Sequence, residues 1–191
     1  MGAWDELDTE ISVTVDTTEL DELLEICGGS DIYEPLEASV NRLKKGLTDG
    51  SKEAVKDIAR RNKSFQEQLI NIVCDNPSGR LMSSITAEKQ NDFTYLVGTR
   101  ITEIYPMSVE YGRREVYPKR AKALAFYLDG ELVFRKKVGR AEPRPFVAPA
   151  YETTKGIAEE IMLRKVEIAK RRMWYVRNWW NYIKYFADCK K

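Results

Sequence analysis

The chain has 191 residues, 43% hydrophobic and 32% charged, with a net charge of +1, which suits one domain with a real core. Histidine is absent and the three cysteines, Cys27, Cys74 and Cys189, are widely spaced. That removes Ser-His-Asp and Cys-His dyads and every His-containing zinc pattern, and it fits reduced thiols better than a disulfide framework.

The near-neutral total hides an asymmetry. Of the 30 acidic residues, 12 precede Arg42, where there is no Lys or Arg, leaving 18 acids for all 31 bases. Such polarity favours head-to-tail contact between subunits, or contact with two different neighbours. The alternative is an acidic N-terminus on a solvated domain. No signal peptide and no apolar run of about 18 residues is present, so neither export by that route nor a membrane span is expected.

In chain order, residues 1–10 read as an acidic arm. Ile11 to Val15 alternates apolar and polar residues, as a half-buried strand does. Asp16-Thr17-Thr18 offers caps for a short helix with Leu20, Leu23, Leu24 and Cys27 on one face. A second helix is expected from Pro35, carrying Leu36, Val40, Leu43 and Leu47, with an interruption at Thr48-Asp49-Gly50. Ser51 then caps a third helix that Asn76-Pro77-Ser78-Gly79 stops.

After Gly79 the period changes. Leu81 to Lys89 and Phe93 to Ile101 read as two strands around a turn at Gln90-Asn91-Asp92. Tyr105 to Arg113 is short and turn-rich, fitting a helical turn and a bend. Asp129-Gly130 between two alternating runs marks a two-residue hairpin. It pairs Leu128 with Glu131, Tyr127 with Leu132, Phe126 with Val133, Ala125 with Phe134 and Leu124 with Arg135. Large apolar groups fall on both faces, so both are expected to be covered, one of them by a helix or a neighbouring subunit.

Pro143, Pro145 and Pro149 restrict the backbone and make an extended strap, or a plain linker, into the last helix. From Tyr151 to the end the pattern is helical, with Met162, Val166, Ala169 and Met173 opening a heptad-like seam. Trp180 continues that seam, a second stripe of Tyr175, Trp179, Tyr182 and Phe186 runs beside it, and Trp174 falls in the same basic segment. Stacking on single-stranded nucleic acid or lying on a membrane surface are alternatives, but regular spacing favours packing. The bases around the hairpin could likewise face a nucleic acid backbone or a neighbour's acids. Nothing points to a catalytic set, a cofactor or a metal.

The expected fold class is α+β: a small antiparallel sheet with hairpins, packed by N-terminal helices and a long C-terminal helix. The expected division is an arm at 1–10, a domain at 11–160 and a basic aromatic helical extension at 161–191.

Three elements in order resemble the tail-component proteins of lambda-like long-tailed bacteriophages. That family carries Thr-Gly-x-Leu-x-x-Ser-Ile, then Tyr-x-x-x-Val-Glu-Phe-Gly-Thr, then Pro-x-Pro-Phe-Leu-x-Pro-Ala. Here they read Ser78-Gly79-Arg80-Leu81-Met82-Ser83-Ser84-Ile85, Tyr105 with Val109-Glu110-Tyr111-Gly112-Arg113, and Pro143-Arg144-Pro145-Phe146-Val147-Ala148-Pro149-Ala150. The resemblance spans about residues 10–160, with Ser78, Tyr111 and Arg113 as departures, and the aromatic tail after Met162 lies outside it. It implies a non-enzymatic virion protein made in the bacterial cytoplasm, forming a six-fold homo-oligomeric ring at the neck, with neck and tail proteins as neighbours and genomic DNA passing through its lumen. Completing the tail and joining it to the head is the implied role. A tail-terminator ring is the alternative within that class, and a nucleic-acid-binding protein is the alternative outside it. Interface residues expected on this basis are Glu110, Tyr111, Gly112, Arg113, Pro145, Phe146 and Pro149; Trp174, Trp179, Trp180, Tyr182 and Phe186 on the last helix are expected at an interface from their spacing and aromatic enrichment alone.

Overall fold

Two long helices carry the architecture. The computed structural model describes residues 7–27, 33–74, 79–101, 104–128 and 131–188, with the side chains of the last helix described to Arg171. The fold is α+β. α2 (Tyr33–Val73) and α5 (Val147–Asp188) make the most extensive contact between described elements.

α2 runs unbroken through Thr48-Asp49-Gly50, where an interruption was expected. The reason lies 116 residues downstream in α5. A Cβ on Gly50 would sit 2.7 Å from Val166 Cα, so glycine here marks the closest approach of two helices. Gly46, Gly50 and Ala54 recur every four residues and are all buried, and α5 meets this stripe with Val166 at Gly50 and Ile161 at Ala54. The propensity lost at an interior glycine, about 1 kcal/mol, is offset by packing. Ala54, Ile58 and Ile161 form one core cluster, with Ile11, Ile157, Ala158 and Met162 against it.

Farther along the pair, a polar ladder is buried. Asn62 Nδ2 donates to Thr154 Oγ1 at 3.1 Å, Gln66 Nε2 donates to Asn62 Oδ1 at 2.8 Å, and Thr154 Oγ1 donates to Ala150 O at 2.7 Å. Buried polar groups are tolerated when they are satisfied in this way. Among the described residues, none donates a hydrogen bond to the carbonyl Oε1 of Gln66.

β1 (Thr9–Ser12), β2 (Ile85–Asn91) and β3 (Thr94–Thr99) form an antiparallel sheet in the order β1-β3-β2, with Val97 and Ile85 in the core. β1 opposes Thr9 to Val97 and Ser12 to Thr94, and Val13 N–H continues the pairing to Phe93 O at 3.1 Å. The strand therefore starts two residues earlier than alternation predicted. Leu7 is fully buried, so the last part of the expected arm belongs to the fold.

α1 (Thr18–Cys27) forms as expected and packs on α2, with Asp21 paired to Lys44. Asp16 accepts from the backbone N–H and the hydroxyl of Thr18 at 2.9 and 2.6 Å, and the hydroxyl contact leads in holding its carboxyl below the usual value.

The expected strand from Leu81 begins instead with a helical turn, α3 (Arg80–Ser84). Ser83 N–H bonds to Gly79 O at 2.8 Å, and the hydroxyls of Ser83 and Ser84 fold back on Arg80 O and Leu81 O. Serine competes in this way with strand pairing, and it turns Leu81 into the core. The β2–β3 turn is closed by Asn91, whose Oδ1 accepts Phe93 N–H at 2.8 Å.

α4 (Tyr105–Glu110) is the expected single helical turn. The second hairpin, β4 (Leu124–Leu128) with β5 (Glu131–Arg135), matches the expected register in all five pairs. Its Asp129-Gly130 turn falls outside the described residues. α5 passes through 161 as one helix and Ile161 is buried against α2, so the expected extension at 161–191 begins inside the packed core.

Candidate docking surface

Glu110, at the end of α4, is buried to 4% exposure beside the start of α5. Its Oε2 accepts the backbone N–H of Phe146 at 2.7 Å and of Val147 at 3.0 Å, and Oε1 accepts that of Ala148 at 3.2 Å. These are the N–H groups that the first turn of a helix leaves without intrahelical partners, and a carboxylate there also suits the helix dipole. The cap therefore comes from 36 residues upstream. That is why α5 begins at Val147 although the local sequence offers no Ser, Thr, Asp or Asn cap.

The proline strap is fixed on both sides. Arg144 donates its backbone N–H to Val109 O at 2.7 Å and its Nη1 to Val73 O at 3.0 Å, where cationic donors favour a helix C-terminus. Phe146 then drops into the core with Ile70, Leu81 and Ile85. Gly112 takes φ +72°, and a Cβ there would lie 2.6 Å from Ala141 O, so the chain can pass the strap only with glycine.

From this junction a ribbon extends. Arg113 and Ala141 exchange both backbone hydrogen bonds at 2.9 Å, and Val116 and Val138 do so at 2.9 and 3.0 Å. Tyr117 OH donates to Glu115 Oε2 at 2.5 Å and Lys137 Nζ to Oε1 at 3.0 Å. The Tyr117 hydroxyl, then the Lys137 ammonium, hold Glu115 below its usual pKa, while Glu115 pushes both partners up. β4 and β5 form the far end, and neither joins the larger sheet. Residues 113–144 hold ten Lys and Arg against four Asp and Glu.

The expected interface residues separate into two groups. Glu110 and Phe146 are buried and serve the interior, so they support the surface without being part of it. Tyr111 and Pro145 are exposed, and Gly112, Arg113 and Pro149 are half-buried. Trp174, Trp179, Trp180, Tyr182 and Phe186 lie on the α5 backbone, with side chains outside those described. The expected list omitted Tyr127, Leu132 and Phe134, which share one face of the hairpin at 74, 50 and 62% exposure. The signal for them was in the sequence: apolar residues on both faces of one hairpin.

A groove of about 490 Å³ lies elsewhere, between β1 and α5. Among the described residues, no group of three or more His, Cys, Asp or Glu could hold a metal ion. Nor is any helix long and apolar enough to cross a membrane. Compared with known protein families, curated proteins and solved structures, the chain matches none.

Proposed function

We propose that the chain is a structural protein of a tailed-bacteriophage virion. It forms a ring of identical subunits at the neck that completes the tail and joins it to the head. The observation that carries this reading is the convergence of the three family-like elements on one junction. Leu81 and Ile85 of the first, Val109 of the second and Phe146 and Val147 of the third pack in a single cluster. Glu110 of the second caps the helix that the third begins. Elements far apart in sequence thus serve one another, which supports reading them as a set rather than as three chance matches.

A ring needs two different, complementary surfaces on each subunit. The acid-rich N-terminal region and the basic ribbon supply opposite charges for such a contact. The test is an early stop codon in this gene, in the phage or prophage that carries it, with the lysate imaged. Filled heads beside detached tails of normal length are expected. Tails of abnormal length would assign a terminator instead, and intact infectious virions would sink the neck reading. In that last case, steeply salt-dependent DNA binding by the purified protein would bring forward the nucleic-acid reading.

A further inference from the structure

We propose that β1 of one copy receives the β4–β5 hairpin of a second copy by strand addition, over the groove between β1 and α5. This rests on the self-association in the reading above, but not on a location at the neck.

β1 is an edge strand. Among the described residues it pairs only with β3. The Val13 N–H bonds to Phe93 O, so Thr9, Ile11 and Val13 direct their backbone groups to β3, while Glu10 and Ser12 direct theirs outward. The groove beside it is lined by four consecutive residues, Glu10 to Val13. A sheet face would contribute only alternate residues, so it is the backbone edge that borders the groove. The opposite wall is a helical stripe of α5, on which Tyr151, Ala158 and Met162 supply apolar surface. A strand added along β1 would place one row of side chains on that stripe.

The hairpin has what such a site takes. Among the described residues its outer edges pair with no other strand, and it carries a row of exposed apolar groups, Tyr127, Leu132 and Phe134. Two strands alone are marginal in water, and a sheet edge with exposed apolar neighbours is a template for pairing. Main-chain bonds would supply affinity and the apolar row the fit.

Charge selects a second copy as the occupant. The ribbon holds ten bases against four acids, whereas the segment that contains β1 and α1 has no base before Arg42. At the groove itself Glu10 and Glu159 outnumber Lys155. The contact joins two different surfaces, so it repeats from copy to copy as a ring requires.

The test uses the full chain with p-benzoylphenylalanine in place of Phe134, mixed from light and heavy-nitrogen preparations and irradiated at several hundred micromolar. Mixed-isotope adducts from residue 134 to the peptides carrying Glu10–Val13 or Tyr151–Met162 are expected. Ser12→Pro removes an outward N–H without touching the β3 pairing, as edge strands permit, and should cut the adduct at least about tenfold. Tyr127→Ser with Leu132→Ser, both on the exposed face, should do the same and cannot fail by disturbing the core. Adducts at other sites, no adduct between copies, or yields unchanged in these variants would overturn the proposal. Particles lacking a ring defect would remove the neck reading and leave this contact standing. Rings whose adducts map elsewhere would do the reverse.

Discussion

Glu110 accepts the backbone N–H of Phe146 at 2.7 Å, and through that bond the end of one short helix starts another 36 residues later. Glu110→Ala would leave three N–H groups at the start of α5 without their acceptor. We expect a loss of about 3 kcal/mol from the unsatisfied donors and the missing cap. Glu110→Gln keeps one carbonyl acceptor and should lose less. Chemical denaturation of the three proteins gives the order, and equal stabilities would contradict the capping role.

Glycine to alanine should act with opposite signs at two helical positions. Gly156 is exposed, with open space where a Cβ would point, so Gly156→Ala should stabilise by about 0.5–1 kcal/mol through helix propensity. At Gly50 the same gain is outweighed, because the new methyl meets the α5 backbone at Val166. Overpacking costs of about 1–3 kcal/mol make Gly50→Ala net destabilising. Thermal melts of both variants decide it, and a stabilised Gly50→Ala would mean that α2 and α5 are farther apart than described.

Thr154 is the acceptor for the buried amide of Asn62. Thr154→Val keeps the shape but removes that acceptor, at a cost of about 1–3 kcal/mol. Thr154→Ser keeps the hydroxyl and should be the milder change. If the valine variant is the more stable of the two, the ladder is not what holds this crossing.

Asp92 lies between Lys52 of α2, at 2.7 Å, and Lys89 of β2, at 2.6 Å. The hydrogen bond from Lys52, then that from Lys89, lowers its pKa from 3.8 to about 2. A carboxyl depressed on folding contributes stability above its unfolded pKa and loses it as pH falls through the folded value. The contribution should therefore be intact above about pH 4 and gone below about pH 2. Nuclear magnetic resonance titration should place the Asp92 midpoint near the bottom of that window, and Lys52→Met should move it upward. A midpoint near 4 in the native protein would refute the pairing.

Local chemistry made the second hairpin readable residue by residue, since a two-residue Asp-Gly turn leaves one register open to the flanking strands. The α+β class, the helix at 18–27 and the short turn at Tyr105 were readable for similar reasons. Gly50 misled because Thr-Asp-Gly is a breaker in isolation, and only Val166 turns it into a contact. The start of α5 was placed late because its cap is distant in sequence. The candidate surface corresponds to a region singled out in the sequence, but not to the same list of residues. Glu110 and Phe146 carry motif chemistry yet face inward, whereas Tyr127, Leu132 and Phe134 belong to no motif.

The 42 residues of α5 would run about 63 Å at the usual helical rise. A compact body of 191 residues has a radius of gyration of only about 16 Å, so this helix is longer than such a body is wide. A strut of that length acts as a lever. Seating one end to within about 1 Å fixes its direction to about 1°, because the error is divided by the arm. In the proposed ring, a subunit built around it would set the tilt of its neighbours with contacts made far from the point where they meet.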